Sequence, residues 1–352
     1  MLKINPQIIR GVQQASELAD LHQYMQLAIE LEHATIPPYL TAMFSIKHGK
    51  MKEAREVIHS IVIEEMMHMT ISANILNALG GSPSINTKDF VPAYPGKLPM
   101  NIGSGLTVGL QKYSKKALEE TFMIIEEPEH PHHYPEKNML EAEIEDFATI
   151  GQFYEAMSKK IMELPGDDLP GDPDKQVTSS FFSADELFPI LTREDAAKGI
   201  NIIVEQGEGT STGPVDFDGE IAHYYKFKEL SVGRRLVKNP EAEGGYSYTG
   251  EAIPFDEGDV YNIFPNTTAG MLAKGTQERA RLDEFNLYYT RLLNGLHLTF
   301  NGQPDYLNNT IGLMYDLKLI AEKLCATPFP GKEGYTIAPS FEFVPADALH
   351  NA

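Results

Sequence analysis

A glutamate and a histidine occupy neighbouring positions of the apolar stripe in the second predicted helix, residues 52 to 79. Core-type positions recur there at spacings of three and four residues: Ile58, Ile61, Glu65, His68, Ser72, Ile75 and Leu79. Burying a carboxylate and an imidazole is unfavourable unless the two groups are paired or bound to a metal. Because residues i and i+3 project from one face of a helix, Glu65 and His68 are placed to share a metal ion.

The first predicted helix, residues 15 to 48, carries a glutamate in the same setting. Glu32 lies in the middle of its apolar stripe, which predicts that the carboxylate faces the core. Glu30 and His33 also spell Glu-x-x-His, but they lie off this stripe and suit a solvated pair or groups that support the ligands from outside. We therefore take Glu32 as the ligand from this helix.

Two later helices add further ligand types. In the third long helix, Glu155 borders the apolar stripe, and Gln152 competes with it from a more polar neighbourhood. In the segment 217 to 232, Glu220 and His223 form a second Glu-x-x-His on an apolar face. Two such pairs on two helices are far less frequent by chance than one.

Other ionisable residues leave the ligand set open. Glu205 and Glu208 form a Glu-x-x-Glu at the end of the predicted helix 193 to 206, and they compete with Glu155 and Glu220 for the same metal. A further alternative is a group of histidines on a proline-rich loop, where solvated histidines are common: His130, His132 and His133.

The main set reproduces the pattern of a di-metal carboxylate centre, with one Glu from each of two helices and Glu-x-x-His from each of the other two. Its members are Glu32, Glu65, His68, Glu155, Glu220 and His223. Oxygen and imidazole ligands favour iron or manganese, with zinc as a frequent substitute. Cys325 is the single cysteine, which excludes an intramolecular disulfide and a cysteine-based zinc site. We expect two iron ions, with Mn or Zn as alternatives.

The pattern of helices predicts a mainly α protein built on a four-helix bundle within residues 1–237. The segment 82 to 113 is rich in Pro, Gly, Ser and Asn and is long enough to cross the bundle. Helical patterns follow at 114 to 127 and 138 to 164. Residues 238–352 are expected to form a C-terminal extension packed on the bundle.

The extension begins with irregular or short-strand sequence and continues into two helical patterns, at about 273 to 299 and 304 to 326. The apolar positions of these two helices suit an antiparallel pair. The tail after them is predicted to lie extended over the surface.

Composition restricts the class of protein. The chain has 352 residues, 42% of them hydrophobic and 22% charged, as expected of a soluble globular protein. The N-terminal sequence lacks the features of a signal peptide, so we expect a cytoplasmic location. A formal charge of −21 disfavours binding to nucleic acid or to an anionic membrane. The oligomeric state stays open, a homo-oligomer included.

Five segments resemble a known family: IELEHATIPPYLTAMFSI (29–46), the Glu65 to His68 motif, TIGQFYEAM (149–157), IVEQGEGT (203–210) and EIAHYYKF (220–227). Together they resemble the ferritin-like domain of the iminophenyl-pyruvate dimer synthases of violacein and rebeccamycin biosynthesis, over roughly residues 15 to 235, and TIPPYL is the most specific part. The resemblance implies a ferritin-like bundle, non-haem iron and oxidative chemistry of the kind used in bacterial secondary metabolism. Those synthases are much longer chains, so the resemblance covers their ferritin-like domain alone.

A more distant similarity concerns rubrerythrin. Glu32 followed seven residues later by Tyr39, and the GQFYE of the third long helix, look like rubrerythrin motifs. Gln152 stands where that pattern implies a carboxylate, which leaves the ligand from this helix open.

Three functions are compatible with these residues. The sequence favours a non-haem di-iron oxidoreductase that uses O₂ or peroxide to act on a small organic substrate. One alternative is non-catalytic iron storage or sequestration, although the extension fits a compact shell of subunits poorly. The other is a structural or partner-binding protein whose site is vestigial or holds a single zinc ion.

Overall fold

The computed structural model describes residues 4–101, 106–128, 149–166, 168–178, 181–210 and 213–345. Most of these residues are helical. In chain order the helices are α1 (Pro6–Gln14), α2 (His22–Ser45), α3 (Lys52–Ala78), α4 (Lys115–Ala117), α5 (Met123–Ile125), α6 (Ile150–Glu163), α7 (Arg193–Glu208), α8 (His223–Val232), α9 (Gln277–Phe300) and α10 (Leu307–Cys325). A π-helical segment, Leu118–Phe122, joins α4 to α5, so these form one continuous helical rod.

The long helices α2 and α3 form the antiparallel centre of the molecule. The start of α2 lies beside the end of α3, because the His22 ring is 2.8 Å from the carbonyl oxygen of Leu79. Two prolines, Pro37 and Pro38, lie inside α2 and remove backbone donors there. The carbonyl of Ala34, which faces Pro38 one turn later, instead accepts a hydrogen bond of 2.8 Å from the Tyr94 hydroxyl.

The remaining bundle helices cover one side of this pair. α7 and α8 pack on α3, α6 packs on α7, and the π-helical segment and α5 pack on α8. The start of α6 is set by a capping box in which Thr149 and Gln152 exchange side-chain to backbone hydrogen bonds. These contacts give a bundle whose interior lies between α2 and α3 on one side and α6, α7 and α8 on the other.

The C-terminal part covers the opposite side of the central pair. After a two-stranded antiparallel sheet, β1 (Val237–Lys238) and β2 (Tyr246–Ser247), the chain enters α9 and α10, which pack on each other and on α3 and α2. Buried apolar residues of the bundle and of α9 and α10 belong to one continuous core. The division into segments 1–237 and 238–352 stays a prediction.

The predicted order of helices agrees with the structure, and the mainly helical fold with its appended C-terminal helices is confirmed. Of the helix predicted over 138 to 164, residues 138–148 lie outside the described residues, and α6 begins at Ile150 after the N-cap Thr149. The segment predicted as a helix over 217 to 232 is helical only from His223, since Asp216 and Glu220 close a turn before it. Helix α1 lacks a counterpart among the predicted elements. Within the described ranges, every helix is too short or too polar to span a bilayer.

Candidate metal centre

Five buried side chains from four helical elements meet inside the bundle. Glu32 comes from the middle of α2, and Glu65 and His68 lie one turn apart on α3. Glu126 directly follows α5, and His223 is the first residue of α8. Ligand-type atoms of Glu32, Glu65 and His68 lie within 4.8 Å of one another, and so do those of Glu65, Glu126 and His223. The two triads share the Glu65 carboxylate.

The first imidazole is oriented from behind by an amide. Gln206 on α7 donates through its Nε2 to the Glu186 carboxylate at 3.0 Å, which leaves its Oε1 facing the His68 ring. His68 Nε2 lies 2.8 Å from that oxygen and therefore carries the proton that it donates. The other ring nitrogen, Nδ1, faces Glu32 Oε2 at 3.6 Å. This arrangement presents the lone pair of Nδ1 to the interior, as a metal ligand requires.

The second imidazole is held in the same manner by a carboxylate. His223 Nε2 lies 2.8 Å from Oε2 of Glu64, which also accepts two hydrogen bonds from Lys226 Nζ at 2.7 and 2.9 Å. His223 Nδ1 then faces Glu65 Oε1 at 2.8 Å and Glu126 Oε2 at 3.5 Å. It is buried, and among the described residues it finds no partner with hydrogen-bond geometry. A ring nitrogen between carboxylate oxygens suits a cation, either a proton or a metal ion.

Hydroxyl groups complete the surroundings of the carboxylates. The Thr35 hydroxyl lies 2.8 Å from Glu65 Oε2. Tyr154 of α6 donates to Glu32, and Tyr39 of α2 donates to Glu126. Burial and the neighbouring carboxylates raise the pKa of both tyrosines well above the ordinary value, so each phenol keeps its proton and acts as a donor.

The cluster concentrates negative charge in the buried interior of the bundle. Burial, followed by the charge of Glu126, raises the pKa of Glu65 from 4.5 to about 7. Although burial opposes it, hydrogen bonding to His223 and the charge of Lys226 hold the pKa of Glu64 at about 2. Burial also opposes protonation of His223, but the surrounding carboxylates raise its pKa well above 6.5. Protons and metal ions therefore compete for the same positions.

A cavity of about 50 Å³ adjoins the cluster. Its walls include Glu32, Glu65, His68 and Glu126, and it reaches half-buried residues at the end of α7 and the beginning of α6. The volume exceeds the roughly 15 Å³ that one water needs on a comparable scale. The cavity therefore has room for a small molecule beside the carboxylates.

Four of the residues singled out from the sequence, Glu32, Glu65, His68 and His223, are brought together. Glu155 is not, since it is exposed on α6. Successive residues of a helix are turned by about 100°, and α6 directs the preceding Tyr154 to the cluster instead. Gln152, the competitor of Glu155, takes part in the N-terminal capping box of α6.

Glu220 also lies away from the cluster. It is exposed and precedes the first residue of α8, so the helical i, i+3 relation to His223 assumed from the sequence does not exist. Its carboxylate lies 3.8 Å from Lys226 Nζ. The structure thus contains one helical Glu-x-x-His in the cluster, on α3, and a lone histidine at the start of α8.

The two glutamates of the Glu-x-x-Glu at the end of α7 lie in different environments. Glu205 accepts a hydrogen bond of 2.8 Å from the amide of Asn201 and does not line the cavity. Glu208 does line it, beside Gly151 of α6. A Cβ atom at Gly151 would lie 3.0 Å from Oε1 of Glu208, so the glycine makes room for that carboxylate.

The pair Glu30 and His33 lies off the cluster, as its position beside the apolar stripe predicts, but the expectation of a solvated pair or of groups that support the ligands is wrong for His33. His33 is buried on the other side of α2, where burial lowers its pKa to about 3. The alternative site at His130, His132 and His133 lies outside the described residues.

Glu126 was missed by sequence reasoning, although a signal for it exists. Leu118, Phe122 and Glu126 follow at spacings of four, and the first two are fully buried. Glu126 thus continues the apolar stripe of its short helix, as Glu65 does in α3. The prolines that follow it suggested a loop instead. Glu64, which orients His223 from outside the cluster, was also missed, although it directly precedes the predicted ligand Glu65.

Comparisons with known proteins agree with this architecture. The family model described as Ferritin-like matches residues 25–232, which include all five clustered residues. A crystal structure of a ferritin-like protein from Caulobacter vibrioides is similar, with a TM-score of 0.54 and 21% identity, covering 86% of this chain and 93% of that chain. At this identity the likeness shows the fold. No protein with a curated description matches the sequence. Because the family match spans more than half of the chain, the protein belongs to the ferritin-like family.

Proposed function

We propose that the protein is a non-haem di-metal carboxylate oxidoreductase that uses O₂ or peroxide to act on a small organic substrate. The observation that supports this most is the pair of buried ligand triads joined by Glu65. A carboxylate between two triads has two oxygens and can serve one cation with each. A single structural zinc ion would need only one of the triads.

The donor set fits two such cations. Glu32 and His68 would hold one ion, Glu126 and His223 the other, and Glu65 would lie between them, with Glu208 able to reach from the cavity wall. Three carboxylates and two neutral imidazoles carry a formal charge of −3, which two divalent ions offset. The buried Nδ1 atom of His223, which lacks a hydrogen-bond partner among the described residues, has the orientation of a ligand.

Iron is the metal we propose, with manganese or zinc as alternatives, because the donors are oxygen and imidazole nitrogen. Bound iron or manganese would supply electrons to an oxidant and open coordination positions, whereas zinc, which is redox-inert, would supply only the coordination positions. The protein itself orients the ligands and places proton donors beside them. Gln206 and Glu64 hold the two imidazoles with Nδ1 facing inward, and Tyr39 and Tyr154 hold protons next to the cluster. The adjoining cavity of about 50 Å³ suits an oxidant the size of O₂ or peroxide.

Metal analysis of the full chain, loaded anaerobically with Fe²⁺, tests this proposal. We expect two ions per chain and an absorbance change on adding O₂. Glu126→Ala should lower the stoichiometry, whereas the exposed Glu155→Ala should leave it unchanged.

Several results would contradict the proposal. Uptake of many irons per chain would favour storage. The absence of metal after loading would exclude both the oxidoreductase and the storage function. Equal loss of metal from Glu126→Ala and Glu155→Ala would overturn the choice of ligands.

A further inference from the structure

The two imidazoles of the cluster are hydrogen-bonded from behind by acceptors of different charge. His68 Nε2 lies 2.8 Å from the amide oxygen of Gln206, and His223 Nε2 lies 2.8 Å from a carboxylate oxygen of Glu64. Both rings are buried. Since the two distances are equal, the pairs differ in the charge of the acceptor.

On the side that faces the interior, the two positions for a cation are matched, and we name them after their histidines. Both share the Glu65 carboxylate. Each also has one carboxylate of its own, which accepts a hydrogen bond from a buried tyrosine. These are Glu32 with Tyr154 at the His68 position, and Glu126 with Tyr39 at the His223 position. A difference between the positions therefore comes from the groups behind the rings.

At the His68 position the acceptor is neutral and its orientation is fixed. The amide nitrogen of Gln206 donates to the Glu186 carboxylate at 3.0 Å, which turns the amide oxygen toward the ring. Glu186 is half-buried, so water and salt screen part of its charge. The neutral amide also lies between this carboxylate and the imidazole. His68 is thus oriented without being strongly polarised.

At the His223 position the acceptor is an ionised carboxylate. Lys226 Nζ donates to both oxygens of Glu64, at 2.7 and 2.9 Å, and the two side chains are only 10% and 16% exposed. Hydrogen bonds between ionised groups are about twice as strong as neutral ones, so Lys226 fixes the carboxylate behind the ring. A carboxylate in this place makes the opposite ring nitrogen a stronger ligand. Nδ1 of His223 is therefore the better donor of the two imidazoles.

The cavity beside the cluster distinguishes the positions in a second way. Glu32 and His68, which belong to the same position, both line it. From the other position Glu126 lines it, but His223 does not, and His223 is 0% exposed. A cation at the His68 position would therefore face the cavity, whereas one at the His223 position would be more closely enclosed by protein.

We propose that Glu64 makes the two metal positions unequal, so that the His223 position takes the first cation and the His68 position takes a second, more exchangeable one. This order of filling rests on the two-metal centre of the proposed function. Glu64 is a positioning residue, because it acts on the cation through His223. Groups that orient metal ligands change affinity about 10- to 100-fold, and a neutral amide keeps part of that effect. We therefore expect the His223 position to bind about tenfold more tightly.

Titration of the metal-free full chain with Co²⁺, in competition with a chelator, tests this order. We expect two ions to bind in two steps. Repulsion between two cations that share Glu65 also separates the steps, so the decisive comparison is between variants. If the positions were equal, the first ion would avoid whichever position a variant had weakened, and only the second step would change.

Two single variants distinguish these cases. Glu64→Gln makes the acceptor behind His223 neutral, so it should weaken the first step about tenfold and shift the absorption bands of the first Co²⁺. Gln206→Leu should leave the first step and those bands unchanged, and weaken the second step about 10- to 100-fold. Glu220→Gln is the matched control, because its exposed carboxylate lies 3.8 Å from the same Lys226, and it should alter neither step.

A double variant tests the same idea from the other position. Gln206→Glu combined with Glu186→Gln exchanges the amide and the carboxylate behind His68 at constant net charge. It should strengthen the second step about tenfold and so narrow the gap between the steps. This variant leaves Glu64 intact and decides the question even where Glu64→Gln fails to fold. Helical circular dichroism verifies the fold of each variant.

An unchanged first step in folded Glu64→Gln would overturn the proposal, and so would a first step weakened by Gln206→Leu. An unchanged gap between the steps in the folded double variant would overturn it as well. In each of these cases two ions still bind, so the two-metal centre stands. A chain that binds no Co²⁺ would instead contradict the two-metal centre, and with it the proposed function.

Discussion

In the metal-free protein, stability should depend on pH through Glu65. Burial beside Glu126 raises the pKa of the Glu65 carboxyl from 4.5 to about 7. Between these two values the folded state binds more protons than the unfolded chain, so the free energy of unfolding falls as the pH rises. Since the group is buried, the full interval applies, and it corresponds to about 3 kcal/mol.

The neighbouring histidines act in the same direction. The pKa of His68 is raised, because the Glu32 and Glu65 carboxylates outweigh the opposing effect of burial. The pKa of His223 is raised well above 6.5 for the same kind of reason. Their stabilising effect is present at acid pH and is lost as the pH rises through the folded-state values. Glu64, whose pKa is held at about 2, contributes stability that is lost only below pH 4.5.

Urea unfolding of chelator-treated protein, followed by circular dichroism from about pH 5 to about pH 8, measures this effect. The Glu65 contribution to this fall is about 3 kcal/mol, whereas His33, whose pKa burial lowers to about 3, acts in the opposite direction below pH 6.5. The test is therefore the difference between the unchanged chain and a chain without the Glu65 carboxylate. Glu65→Gln should remove roughly that share, whereas Glu155→Gln, on the exposed side of α6, should follow the unchanged chain. An identical dependence of stability on pH in the unchanged chain and in Glu65→Gln would refute the buried position of Glu65.

Other consequences of the structure can be checked separately. Gln206→Leu removes the acceptor that orients His68, and it should weaken metal binding about 10- to 100-fold in a competition titration with a chelator. Gly171→Ala would place a Cβ 2.7 Å from backbone atoms of α3 and should cost at least about 2 kcal/mol in urea unfolding. Gly312→Ala, in open space on α10, should gain about 0.5–1 kcal/mol instead, and a loss there would contradict the assigned helix. Cys325 is buried and its thiol pKa is raised by burial, so a thiol reagent should label it only on unfolding; rapid labelling of the folded chain would contradict its position.

The part of the fold that could be predicted depends on local pattern. Helices α2 and α3 are long, and their apolar residues recur with helical period, so their existence and their buried faces follow from the sequence alone. Glu65 and His68 are fixed relative to each other by one turn of one helix. For the same reason the stripe of α2 selected Glu32 over the neighbouring Glu30 and His33.

The rest of the site required information that a periodic pattern does not contain. Whether Glu155 or Tyr154 reaches the cluster depends on how α6 is rotated about its axis in the bundle, and two adjacent residues differ by about 100°. Glu126 follows a short helical rod with a π-helical segment, which shifts the register of the side chains after it. Glu220 lies outside α8 because its backbone N–H donates to Asp216 across a turn.

The sequence by itself therefore determined the helical architecture, the inward-facing carboxylate of α2 and the Glu-x-x-His of α3, since each follows from spacing within one helix. Only the tertiary structure decided that Glu126 and His223 meet Glu65, because these residues are far apart in the chain and their distances depend on the packing of separate helices. It also separated Glu32 from His33, which share a helix but face a charged cluster and an apolar cavity on opposite sides of it.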